Sequence, residues 1–314
     1  MGLYPRNLNW FVASMGIPRG PLSKVYLVDP VNGNDSNPGT NWRAPLLTVT
    51  AAEALCVADR HDTVLMLSGD TADNPTASIT WDKDFTHLVG LSGNLPGVGQ
   101  RCRIVGTAAN DLNPVVTFAG KGNIIRNIQI NNESDAAADS SAVILTGDRY
   151  YFENVFILGM VHATPAARAG ANSFEMTGAH ENMFLNCSVG VDTIVRAAAN
   201  HELLMSGGSS KNMFRQCRFL SASSTAGKFM VGVETSVASG LNSFEECLFY
   251  NNSTNWGQEL TNCFDIQGTQ ATYYIDLARS RLVGITGWAD IVTHLYSADP
   301  APNAGFGLSV NPTT

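Results

Sequence analysis

The sequence predicts an all-β chain wound as a parallel β-helix, a solenoid of short stacked strands. Three observations carry that reading. First, Asn182-Met-Phe-Leu-Asn-Cys-Ser-Val189, Asn212-Met-Phe-Arg-Gln-Cys-Arg-Phe219 and Asn242-Ser-Phe-Glu-Glu-Cys-Leu-Phe249 align without gaps. Phe184, Phe214 and Phe244, and likewise Cys187, Cys217 and Cys247, thus recur every thirty residues. Second, a further short apolar segment precedes each copy: Val143–Gly147, Phe174–Gly178, Leu203–Gly207 and Phe264–Gly268. Such segments have strand length and period-two patterning and end in turn formers. Third, a polar residue stands between the apolar positions of every copy: Asn127, Asn154, Asn186, Gln216, Glu246 and Asp276. Asparagine is the non-glycine residue that most readily takes a left-handed backbone, so a sharp corner is expected there. A unit of this size cannot bury its own apolar face and must stack on its neighbours.

The elements follow in chain order. Residues 1–24 read as an extended arm outside the repeat, with Leu3, Tyr4, Leu8, Trp10 and Phe11 too apolar to be left in solvent. Residues 25–283 form the solenoid. Near its start a capping helix is expected at about 50–60, where Thr50-Ala-Ala-Glu53 reads as a capping box and Ala52, Leu55 and Cys56 make an apolar stripe. A terminal rung exposes an apolar cross-section and strand edges, so it needs such a cover. Asp62–Leu67, Ser78–Trp81, Leu88–Gly90, Cys102–Val105 and Val115–Phe118 supply the early strands. The template then runs through Ile125, Ile128 and Ile130, through Phe152, Val155 and Ile157, through the three exact copies, and on to Tyr274 and Leu277. Residues 284–314 read as a C-terminal cap or interface tail. The cysteines and phenylalanines are expected to form parallel internal stacks at the sheet spacing of roughly 4.8 Å.

Composition bounds the function. Of 314 residues 44% are hydrophobic and 15% charged, with 29 Gly and 13 Pro, which describes a turn-rich chain able to build a core. Lys+Arg 19 against Asp+Glu 27 gives −8 with no basic cluster, so neither nucleic acid nor a membrane surface is an expected partner. The opening residues do not pattern as a secretory signal, and no apolar run is long enough to span a bilayer. The six cysteines, Cys56, Cys102, Cys187, Cys217, Cys247 and Cys263, lack a C-x-x-C pair and read as buried thiols of a protein made in a reducing cytosol.

The segment Tyr26-Leu-Val-Asp-Pro-Val-Asn-Gly-Asn-Asp-Ser-Asn-Pro-Gly-Thr40, followed by Pro45 and the short helix, resembles the entry motif of pectate-lyase-like right-handed β-helix proteins. With the rungs behind it, the resemblance covers roughly residues 25–283. It implies a right-handed helix. It does not decide activity, because that family includes polysaccharide lyases and hydrolases as well as phage tailspikes and capsid attachments.

Candidate site residues are few. The N-T-D, D-D, G-H-G and R-I-K set of polygalacturonase-like proteins is absent, and Arg279-Ser-Arg281-Leu-Val does not match the R-x-P-x-x-R segment of pectate lyases. Glu246 over Asp276 is the one carboxylate pair the alignment places in adjacent rungs, at the short end of the separation glycosidases use. Asp29, Asn32, Asn34 and Asp35 form an oxygen-rich turn without EF-hand spacing, read as a turn and not as a calcium loop. His61, His87, His162, His180, His201 and His294 show no metal-ligand spacing, and His201-Glu202 is not H-E-x-x-H. The expectation is therefore no catalytic, cofactor-binding or metal residue. The function expected is a non-enzymatic virion protein of a tailed phage, a capsid decoration or cement protein or a short spike. It would be assembled in the host cytoplasm as a homotrimer on the major capsid protein or another virion protein. The alternative is a glycan-binding or glycan-cleaving tailspike, lyase or hydrolase of the same fold. A host glycan would lie between the loops 131–141, 159–172 and 220–240, with Trp256 and Trp288 as its stacking candidates.

Overall fold

A computed structural model describes residues 8–92, 102–138, 140–197, 200–234, 240–256, 258–267, 273–289 and 295–296. It is the expected right-handed parallel β-helix. Among the described residues three parallel sheets run along the solenoid, with ten strands in sheet A, seven in sheet B and eight in sheet C. Each full rung therefore has three strands, one more than the minimum of two read from the repeat. Sheet A carries the Phe motif, sheet B the segment after the Asn corner, and sheet C the second apolar register.

The interior of sheet A is one column of side chains. Phe152, Phe184, Phe214 and Phe244 pair in register, with centroids 4.8, 4.4 and 4.8 Å apart and ring planes within 7° of parallel. Phe219 and Phe249 repeat this on sheet B at 4.7 Å. Cys187, Cys217 and Cys247 form the expected internal stack, each thiol donating to a backbone carbonyl at 3.4 Å. Ser280 continues the column, donating to Phe244 O at 2.9 Å as Cys247 donates to Phe214 O.

Left-handed corners flank sheet A on both sides. The corner after the strand holds Asn127, Asn154, Asn186, Gln216 and Glu246, all with φ between 53° and 57°. The sixth member is Arg279 at φ 51°, not Asp276. Asp276 instead pairs with Ser243, three residues earlier in its rung. The corner before the strand holds Phe85, Arg149, Glu181 and Lys211, with φ from 50° to 60°. No local preference announces it, because these residue types do not favour that backbone region.

A polar ladder runs beside the aromatic one. Asn212 Oδ1 accepts from the backbone N and side-chain amide of Asn182 at 3.1 and 2.9 Å, and Asn242 Oδ1 accepts from Asn212 in the same way at 3.0 Å. Tyr150 and Asn123 extend it toward the N-terminus. Buried polar groups persist only when hydrogen-bonded, and here each asparagine satisfies the next.

The capping helix is Val49–Leu55, shorter than expected. Its N-cap is Thr48, whose hydroxyl accepts from Ala51 N, so the cap lies two residues before Thr50 and no capping box forms. Asp73 Oδ2 takes Val49 N–H at 2.7 Å, and Glu53 pairs with Lys83 at 2.8 Å in place of closing a box.

The N-terminal segment also differs from expectation. In its described part it is not extended: Leu8–Ser14 forms helix α1 and lies on the outer face of sheet A. Val12 and Ile17 are buried against Val25, Leu27, Leu65 and Val89. Arg126 anchors the segment by donating to Met15 O at 2.7 Å. Leu3 and Tyr4 lie outside the described residues, as do residues 290–294 and 297–314 of the C-terminal segment. No described helix is long and apolar enough to cross a membrane.

Candidate functional site

Strand alternation puts two columns of side chains on the outer face of sheet A. One runs Ile124, Tyr151, Met183, Met213, Ser243 and Asp276; the other runs Arg126, Glu153, Leu185, Arg215 and Glu245. Helix α1 and its following turn cover the face as far as Ile124. Beyond it the face is open, with Met213, Leu241 and Tyr274 exposed.

At the edge of this open face two carboxylates meet one guanidinium. Arg279 Nη2 lies 3.0 Å from Glu246 Oε1 and also hydrogen-bonds Glu245 Oε1. Oxygens bonded to one nitrogen lie within roughly 6 Å of each other, the sum of two hydrogen bonds. Arg215 Nε stands 3.3 Å from Glu245 Oε2, and Gln216 Nε2 donates to Glu246 Oε2 at 2.8 Å. The Gln216 amide and Arg279 hold the Glu246 carboxyl below its ordinary range. The partner of Glu246 is thus Glu245, beside it in the chain, and the pairing expected with Asp276 is corrected. The strand period that turns Glu245 outward and the corner that turns Glu246 toward the same side bring them together. Alignment across rungs does not contain that signal.

Other polar groups serve the scaffold. Arg196, Glu202 and Lys228 are all buried where sheets B and C meet. Glu202 Oε2 accepts from Ser173 Oγ at 2.5 Å and Arg196 Nη2 at 2.9 Å, while Lys228 Nζ lies 2.9 Å from Oε1. Burial alone would raise the Glu202 carboxyl, but Arg196 and Lys228 override it and bring it to about 2. Burial lowers Lys228 to about 8 against the pull of Glu202. A Cβ on Gly190 would stand 2.6 Å from Glu202 Oε2, so a glycine is required beside the carboxylate.

His201 Nε2 lies 3.1 Å from Asp265 Oδ2 on sheet C, and its ring covers Gly232. His87 accepts from Ile124 N at Nδ1, which places its proton on Nε2, toward His61 Nδ1 at 3.2 Å. Burial lowers His87 to about 3. His162 caps a short helix and His180 meets Ser210. His294 lies outside the described residues. In the Asp29–Asp35 turn, Asp29 Oδ1 accepts from Val31 and Asn32 N–H, and Asp35 Oδ1 from Leu47 and Thr48 N–H, so these oxygens hold the turn. Among the described residues no three His, Cys, Asp or Glu side chains are grouped to hold a metal. Trp288 is a core residue, edge-on to Phe249 at 6.0 Å, and not a surface platform; the Trp256 side chain lies outside the described residues. The stretch 220–240, expected as a loop, contains the sheet C strand Val231–Val233.

No protein-family model matches the chain, and no curated protein matches it in sequence. Solved structures do. Pectate lyase Pel9A is 14% identical, with 93% of this chain and 83% of that chain covered and a TM-score of 0.54. A pectin methylesterase in complex with hexasaccharide VII is 15% identical, with 84% and 80% covered and a TM-score of 0.52. Pectin methylesterase PemA from Erwinia chrysanthemi is 13% identical, with 89% and 91% covered and a TM-score of 0.50. At such identities the similarity establishes the fold. It also corrects one expectation: these similar structures are enzymes, so the missing lyase and polygalacturonase motifs do not make the chain non-enzymatic, and that reading is withdrawn. The chain has the pectate-lyase-like right-handed β-helix fold.

Proposed function

We propose that the protein is a glycan-active β-helix enzyme that holds an extended polysaccharide on the open outer face of sheet A and hydrolyses an ester on it at the Glu245–Glu246–Arg279 cluster. The observation that carries this is the pair of carboxylates sharing one guanidinium beside that face. The Gln216 amide and Arg279 keep Glu246 ionised. An ionised carboxylate suits general-base work: it takes a proton from water, and the water oxygen attacks the acyl carbon. A guanidinium can stabilise the oxyanion as it forms, and the carboxyl returns its proton to the departing alcohol. The products are the free acid and the alcohol. Two of the similar structures are pectin methylesterases, which accords with ester chemistry on a β-helix.

The virion setting and the self-associated chain belong to the same proposal, with the enzyme meeting surface glycans from the particle. The test is incubation with esterified and de-esterified polysaccharides while following released acid, new reducing ends and unsaturated ends separately. Acid release that is lost in Glu246→Gln supports ester hydrolysis. Reducing ends or unsaturated ends without acid release overturn it in favour of a hydrolase or a lyase.

A further inference from the structure

Resting on the proposed glycan-binding face, we infer that its ligand is an uncharged polysaccharide carrying methyl-bearing substituents, acetyl groups or deoxy sugars, and not a polyanion. A polyanion needs a row of cations without acids between them. On and around this face the cations alternate with acids: Arg126 lies 2.6 Å from Glu153, Arg149 2.8 Å and Lys211 3.5 Å from Glu181, and Arg215 3.3 Å from Glu245. Arg279 is held between Glu245 and Glu246. A chain of negative charges laid along this surface would meet acids as often as bases.

The centre of the face points the same way. Its successive rungs present Tyr151, Met183 and Met213, with Leu185 beside Met183. Methionine and leucine give no ring face for a sugar to stack on, but they give flexible apolar surface that moulds around small alkyl groups. On the preceding rungs the same face takes apolar side chains, with Leu8 and Phe11 of helix α1 and Met15 of the following turn packed against the cluster of Val25, Leu27, Leu65 and Val89. A substituent methyl spaced along a glycan would occupy the open continuation of that surface. Burial of one methyl strengthens binding by about fourfold, so several along the strand convert weak contacts into retention.

The experiment is affinity electrophoresis and calorimetry of the whole chain with fully N-acetylated chito-oligosaccharides, the same oligosaccharides de-acetylated, and polygalacturonate, each at low and high salt. The expected result is binding of the acetylated form, insensitive to salt and weakened at least tenfold in Met213→Gln but retained in Met213→Leu. Binding of polygalacturonate that falls with salt and is lost in Arg215→Gln would overturn the ligand class while leaving the face as the binding site. Failure of all three glycans to bind would overturn both this inference and the glycan-binding face. Binding unaffected by either substitution would place the glycan elsewhere and overturn the face as well.

Discussion

The first rungs of the solenoid and the exact-repeat rungs solve the same packing problem differently. From Tyr26 through Val64, Leu88 and Ile125 the inner column of sheet A changes residue at each step, and the outer face above it is covered by helix α1. From Phe152 to Phe244 the inner column is one residue type, with an asparagine ladder beside it and an open outer face. What differs is the outward-facing set: the early rungs turn Val25, Leu27, Leu65 and Val89 outward, an apolar surface that needs the cover of helix α1. The later rungs turn Glu153, Arg215 and Glu245 outward, paired charges that can stand in water, and leave the face open.

The contrast predicts a graded series of losses. The largest effect is expected where the repeat meets the loops: Glu202→Gln leaves Arg196 and Lys228 buried without their counter-charge and should cost roughly 3–5 kcal/mol in urea unfolding. The wild type should also lose stability in acid. Glu202 has its folded-state value lowered from 4.5 to about 2, so its contribution is present above about pH 4.5 and is lost as the pH falls through about 2. The Gln variant should lack that slope, and an unchanged slope would mean that other groups dominate.

Phe214→Ala comes next, removing a ring that stacks on Phe184 and Phe244 at once, with about 3–5 kcal/mol lost. The matching change at Leu88 in the early rungs should cost less, because no stack is interrupted; equal losses would remove the distinction between the two regions. Asn212→Ala strips the acceptor from Asn182 and the donors to Asn242 and Ala179, for about 2 kcal/mol by thermal unfolding. Val12→Ala, in the cover of the early rungs, should cost about 1.5 kcal/mol and speed amide exchange in the strands at Leu27 and Leu65 while leaving the Phe rungs protected. The smallest effect belongs to the open face, where Arg215→Gln should change stability by under about 1 kcal/mol, as for most exposed ion pairs. A larger loss there would make the cluster a structural clamp and count against a ligand site.

Much of the fold is legible in residues. The thirty-residue recurrence of Phe and Cys places three sheet A strands and their corners, and the Asn corners at 127, 154 and 186 take the left-handed backbone that asparagine favours. The rung after Glu246 is where this reading slips. That corner is Arg279, thirty-three residues on, because the intervening rung is longer and a fixed period lands on Asp276. The Val231–Val233 strand was hidden for a related reason: Val-Gly-Val is too short and too weakly patterned to stand out from the turn formers around it. Helix α1 does not stand out from an extended arm in the sequence, because a seven-residue helix owes its stability to the face it covers, which its own sequence does not show.

The candidate site was half visible. Glu246 stood out as a carboxylate at a corner, but its partners depended on which rung met which. By itself the sequence determined the strands, the corners and the stacking of like residues, because alternation and turn preference act over a few neighbouring positions. The tertiary structure alone decided that Glu245, Glu246 and Arg279 converge, that Arg196, Glu202 and Lys228 share one buried site, and that α1 closes the first part of the sheet A face. Those meetings are made across rungs whose loops differ in length while the strands stay in register, so spacing along the chain does not give the neighbours.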